Sequence, residues 1–191
     1  MKALLIVDVQ NDFCPGGALE VKNGDQVVPV INNIMSGFPL VVASMDWHPV
    51  DSKHFEKWPP HCVRQTDGAD MHQDLHMSMI EKIFLKGTEG KDDGYSAFEA
   101  TNIDLEEYLV NRGITDLYIA GLATDYCVKE TVLDSLQKGF STFVVTDAIH
   151  PVEVNPGDGE KALEEMASKG ASLVNSSQLV KPKGGCSCCN C

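Results

Sequence analysis

Cys127 stands in GLATDYCVKET, residues 121 to 131, just after the short apolar run DLYIAG and beside a Thr-Asp pair that reads as a helix start. Val128, Val132 and Leu136 recur beside it at helical spacing, so a small core hydrophobe is its bland reading. Asp8 ends the run ALLIVDV and Lys86 ends KIFLK. Taken singly, an Asp at a strand end is commonly a turn former, and a lysine is commonly solvated. Taken together the three have a joint chemistry. A thiol attacks only as thiolate, and a helix start and a neighbouring ammonium both lower its pKa. A carboxylate can take the thiol proton and later hand it to a leaving amine. The tight loop ahead of the helix exposes backbone N–H groups suited to a developing oxyanion. The combination describes a cysteine amidase.

A second constellation is Asp46, His48, His54 and His61. DxH after a strand, followed by two further histidines, offers nitrogen ligands plus one carboxylate, a set suited to Zn, with Fe or Mn as alternatives. Any single one of these histidines would read as a polar loop residue. His72, His76 and His150 have no comparable setting and are left as structural or surface residues. WPPHC lacks the H-x-E and P-C-x-x-C pair of the zinc deaminases. Phe13, Trp58, Tyr95 and Tyr126 lie in loops next to these groups, where a flat heteroaromatic ring can stack, although each also suits a loop anchor.

These residues need elements to bring them together. Apolar runs at Ala3 to Val9, Leu40 to Ser44, Lys82 to Lys86, Leu117 to Ala120, Thr142 to Thr146 and Ala171 to Val174 predict strands, most of them apolar throughout as if covered on both faces. Helical patterns fall at Gln26 to Ser36, Ile103 to Arg112, Asp125 to Lys138 and Gly159 to Ser168, several stopped by glycine. The alternation predicts an α/β fold, a doubly wound, mostly parallel sheet with helices on both faces. Ligands bind such sheets beyond the carboxyl ends of the strands, where an acid, a lysine, a thiol and a DxH pair would converge. Residues 47 to 79 are too long for an ordinary connection and are expected to be functional.

One domain is expected over residues 1 to 180, because 43% hydrophobic and 23% charged residues in 191 suit a single core. Residues 181 to 191, KPKGGCSCCNC after a Pro-Gly linker, read as a mobile Cys-rich tail. A formal net charge of -13 disfavours nucleic acid and anionic membrane surfaces and leaves small-molecule or protein partners. No run approaches membrane-spanning length, the first apolar run is too short for a signal segment, and seven cysteines without an export signal argue against a disulfide framework. The cytosol is the expected compartment, and the oligomeric state, monomer or homo-oligomer, is left open.

The strings LLIVDVQNDFCPGGAL, DWHP, WPPHCV, GADMH, KGTEGKDDGYSAFE, GLATDYCV and VVTDAIH, in this order, resemble the nicotinamidase/pyrazinamidase branch of the isochorismatase-like cysteine hydrolases over about residues 2 to 180. The resemblance implies a triad of Asp8 as acid/base, Lys86 as charge partner and Cys127 as nucleophile. It implies a cis peptide at Leu122-Ala123, with the N–H groups of Ala123 and Cys127 as oxyanion hole. Asp46, His48 and His61 match metal-binding positions, and His54 a position that varies. Phe13, Trp58 and Tyr95 match ring-contacting positions, while Tyr126 stands where relatives differ. The implied reaction is hydrolysis of nicotinamide to nicotinate and ammonia, with pyrazinamide as a further substrate. A carbamoyl amidase would share the triad without needing the metal set, isochorismatase would lack the cysteine nucleophile, and a silent metal-storage or thiol-relay protein finds support only in the tail.

Overall fold

A computed structural model describes residues 1–91 and 94–180. The expected Cys-rich tail lies outside the described residues. The elements run β1 (Lys2–Val7), α1 (Val27–Met35), β2 (Val41–Asp46), β3 (Lys82–Lys86), α2 (Leu105–Asn111), β4 (Asp116–Leu122), α3 (Lys129–Gln137), β5 (Ser141–His150), α4 (Asp158–Ser168) and β6 (Ser172–Val174). The six strands form one sheet in the order β3-β2-β1-β4-β5-β6, and every pairing is parallel.

Direction of travel decides which face each helix covers, because parallel crossovers are right-handed. From β1 the chain steps outward to β2 through α1, and the α1 residues Val27, Val28, Ile31 and Ile34 pack with Leu4 and Ile6. From β3 it returns past β1 and moves the other way, so Leu105 and Leu109 of α2, Val132 of α3 and Met166 of α4 pack with Ala3, Leu5 and Val7. Strand β1 thus alternates between two apolar layers, which is why its sequence shows no polar alternation. The reversal of strand order falls between β1 and β4, and their carboxyl ends diverge into a crevice.

Most predicted elements are present with ends moved by one or two residues. Two differences bear on the site. Strand β1 stops at Val7 rather than Val9, because Asp8 takes φ 48° and its carbonyl accepts the Gln10 N–H at 2.8 Å. The helix expected from Asp125 is preceded by one wide π turn, Thr124–Val128, before α3 begins at Lys129. At the outer edge, Asn102 lies along β3, where its Oδ1 accepts the Leu85 N–H at 2.9 Å and its Nδ2 donates to the Ile83 carbonyl at 3.1 Å. Among the described residues, no helix is long and apolar enough to cross a membrane.

Candidate active site

The carboxyl ends of three neighbouring strands bring Asp8, Asp46 and Lys86 together. Val7 pairs with Ser44, so Asp8 emerges beside the end of β2, and Asp46 pairs in register with Lys86 across β2 and β3. Lys86 is wholly buried. Its Nζ lies 2.8 Å from Asp8 Oδ2 and 2.5 Å from Asp46 Oδ1, donates to the Gly94 carbonyl at 2.6 Å, and reaches Cys127 Sγ at 3.5 Å. Asp8, Asp46 and Cys127 would by themselves be close enough to hold a metal ion. The lysine ammonium already supplies the cation there. Both carboxylates raise the Lys86 pKa well above its ordinary value, against the opposing effect of burial.

The two carboxyls are driven apart although both are buried. Burial pushes Asp8 up to about 6, against the pull of Lys86. Asp46 suffers the same burial, yet Lys86 and the neighbouring imidazoles hold it well below the usual carboxylate range. Such a separation suits one group for moving protons and the other for staying charged.

The thiol departs from the sequence expectation. A helix start and a lysine were expected to lower its pKa; instead burial raises it well above the ordinary value, outweighing Lys86, and Asp8 and Asp46 add to the rise. Cys127 therefore rests as a thiol, with the Asp8 carboxyl beside it. Ionisation needs a base, and Asp8 is the group in place to act as one.

Beside this cluster, His48, His54 and His61 are buried and each offers a ring nitrogen to a common point. His48 Nδ1 sits 3.0 Å from the Gly87 carbonyl, and His61 Nδ1 2.8 Å from the Pro59 carbonyl. A carbonyl only accepts, so both Nδ1 atoms carry a proton, which in the neutral ring leaves Nε2 with the lone pair a metal ligand needs. Asp46 Oδ2 lies 3.6 Å and 3.9 Å from those Nε2 atoms. Burial lowers the His61 pKa, which favours the neutral ligating form. The donor set thus fits a divalent cation of borderline character. His54, the least expected of the three, stacks on His48 with ring centroids 4.8 Å apart and belongs to the cluster.

A pocket opens above Cys127. Phe13, Trp58, Tyr95 and Tyr126 form its walls, and Ala123, Asp46, His54 and His61 also line it. Trp58 Nε1 donates to the Tyr95 hydroxyl at 3.1 Å, and the Trp58 and Tyr126 rings meet nearly perpendicular at 5.1 Å. The Leu122-Ala123 peptide is cis, and the Ala123 carbonyl accepts the Tyr126 and Val128 N–H groups at 3.1 Å each. The candidate catalytic, metal-binding and ring-contacting residues are therefore brought to one place, while His72, His76 and His150 are not among the residues lining this pocket.

Some site residues escaped the sequence reading. Ser44 donates its hydroxyl to Asp8 Oδ1 at 2.7 Å. Gln10 accepts the Asp46 N–H and donates to the Asp46 and Ala69 carbonyls, each at 2.8 Å, which ties the end of β2 to the segment at Ala69. Leu19 and Val152 line the pocket. Only the strand order, which sets Ser44 against Val7, could have pointed to the first of these.

The isochorismatase domain family matches residues 2–178. The nicotinamidase of Escherichia coli is 39% identical over 96% of this chain and 99% of its own length. Among solved structures, a pyrazinamidase of Pyrococcus horikoshii in complex with zinc is 41% identical, covers 91% of this chain and 98% of that one, and superposes with a TM-score of 0.80. PnC1 from L. infantum in complex with nicotinate is 34% identical over 93% of each chain, with a TM-score of 0.87.

Proposed function

Because the chain belongs to the isochorismatase family, we propose that its pocket hydrolyses the carboxamide of nicotinamide, giving nicotinate and ammonia, and accepts pyrazinamide in the same way. The observation that carries this reading is the buried Lys86 ammonium, 2.8 Å from Asp8 and 3.5 Å from Cys127, at the base of an aromatic pocket flanked by three histidines. A carbamoyl amidase would have no use for the histidines.

The steps follow from the groups present. Asp8, whose carboxyl burial pushes up to about 6, accepts the Cys127 proton, and Lys86 offsets the thiolate charge as it forms. The thiolate sulfur bonds to the carboxamide carbon. The negative charge passing to its oxygen is received by the N–H groups of Ala123 and Cys127. Asp8 returns the proton to the amide nitrogen, the C–N bond breaks, and ammonia leaves an acyl thioester. Water then adds to that carbonyl while Asp8 takes its proton. The C–S bond breaks, the proton passes from Asp8 back to sulfur, and the acid leaves, giving up its carboxyl proton to solvent as nicotinate.

His48, His54 and His61, with Asp46 beside them, would hold the divalent ion, Zn first and Fe or Mn as alternatives. When bound, that ion supplies a Lewis-acidic anchor for the ring nitrogen. Phe13, Trp58, Tyr95 and Tyr126 hold the flat ring so that its carboxamide faces Cys127, and small errors in that placement cost on the order of a hundredfold in rate. The cytosol as compartment and residues 1–180 as the working unit belong to the same reading. Release of ammonia from nicotinamide by the purified protein tests it; a metal-replete preparation that releases none overturns it.

A further inference from the structure

The π turn that carries Cys127 also carries Asp125, a carboxylate only 8% exposed that has no part in the steps above. Its Oδ1 accepts the Val152 N–H and its Oδ2 the Glu153 N–H, both at 2.9 Å. The two donors are consecutive residues of the loop that leaves β5, and Glu153 is held there at φ 58°. Glu153 in turn accepts the Gly157 N–H at 3.0 Å and the Gly159 N–H at 3.4 Å through Oε1, which ties the loop to the start of α4. Val152 is a wall of the pocket above Cys127.

Resting on the nicotinamide reading, we propose that Asp125 is a positioning residue that sets ring selectivity: it clamps the Val152 loop to the nucleophile turn and so fixes the distance between the Val152 wall and Cys127. Two charge-assisted bonds from one carboxylate hold both atoms of the clamp at once, whereas an amide can accept only on one side and turns a donor toward the other N–H. The wall then loosens while the thiol, its base and its lysine stay in place. A pocket wall of this kind discriminates by shape, and a single methyl group is worth about tenfold or more in such discrimination.

The test compares nicotinamide with its 2-, 4-, 5- and 6-methyl derivatives. Val152→Ala should raise the relative kcat/KM for at least one methyl isomer about tenfold. Asp125→Asn should raise it for the same isomer, with KM for nicotinamide increased more than kcat is reduced. The double variant should gain less than the product of the two single effects, because both act through one wall. In the unaltered protein the Val152 and Glu153 amides, although in a loop, should exchange hydrogen as slowly as those of strand β4. Unchanged selectivity in a folded Asp125→Asn variant, or loop-like fast exchange of both amides, overturns the clamp. The exchange measurement decides the matter alone if that variant does not fold. An unaltered protein inactive on nicotinamide would instead count against the functional reading, with the exchange result still standing.

Discussion

Asp46 and Lys86 end adjacent parallel strands in register, and their side chains meet with Oδ1 2.5 Å from Nζ. The other oxygen of Asp46 faces the imidazoles of His48 and His61. One carboxylate therefore touches both the thiol machinery and the metal cluster, so the two can be separated by choosing which neighbour to remove.

Removing the metal, or substituting His48→Ala, should abolish most nicotinamide hydrolysis while a small haloacetamide still alkylates Cys127. Asp46→Asn should impair both, because it withdraws a charge partner from Lys86 as well as from the histidines. Mass spectrometry of the alkylated thiol, with ammonia release measured in parallel, separates these outcomes. Benzamide, which stacks but lacks the ring nitrogen, should be a much poorer substrate than nicotinamide and lose little more on stripping.

The Asp8 carboxyl, pushed up to about 6 by burial, must be ionised to take the thiol proton. The kcat/KM profile should therefore rise with pH through about 6 and flatten above it. Its effect on stability has the opposite sign. Between its ordinary value of 3.8 and about 6 the folded chain keeps a proton that the unfolded chain has released, so stability contributed by this group is lost as pH rises through that window. Asp8→Asn should remove both dependences, which a rate profile and thermal melts across the same range would read.

Cys127→Ala, Asp8→Asn and Lys86→Ala should each lower turnover about a thousandfold or more, and pairs should cost little beyond singles, since the three act as a unit. Lys86→Met adds a structural outcome. With its ammonium gone, Asp8 and Asp46 are buried without their cation, which costs about 3–5 kcal/mol when such a pair is broken. The variant should melt earlier and bind additional divalent metal at Asp8, Asp46 and Cys127; unchanged metal content would show that these three do not form a cation site.

Truncation after Val180 should leave amidase activity intact, because every residue of the site lies before it. A large fall in turnover with the fold preserved would overturn that.

Much of the fold was legible because burial on both faces writes continuous apolar runs, as in LLIV and LVVA, and because glycines punctuate the helices. The convergence of the candidate residues was legible because reactive side chains at strand ends have few structural uses in common. What stayed hidden depends on the third dimension. Ser44 and Gln10 act through strand register, and Val152 through the path of a loop. The state of the Cys127 thiol was misjudged because a sequence displays neighbouring charges but not the extent of burial, which here is the larger influence.

Asn102 sets a limit on how this sheet can grow. Along the free side of β3 the Leu85 N–H and the carbonyls of Leu85 and Ile83 are already engaged by the Asn102 amide and the Thr101 N–H. A strand from a second molecule would find those positions on the ladder taken, so intermolecular templating there would first require a local segment to peel away. Asn102 is thus a guard against edge-to-edge aggregation, placed on the strand that also delivers Lys86 to the reaction centre.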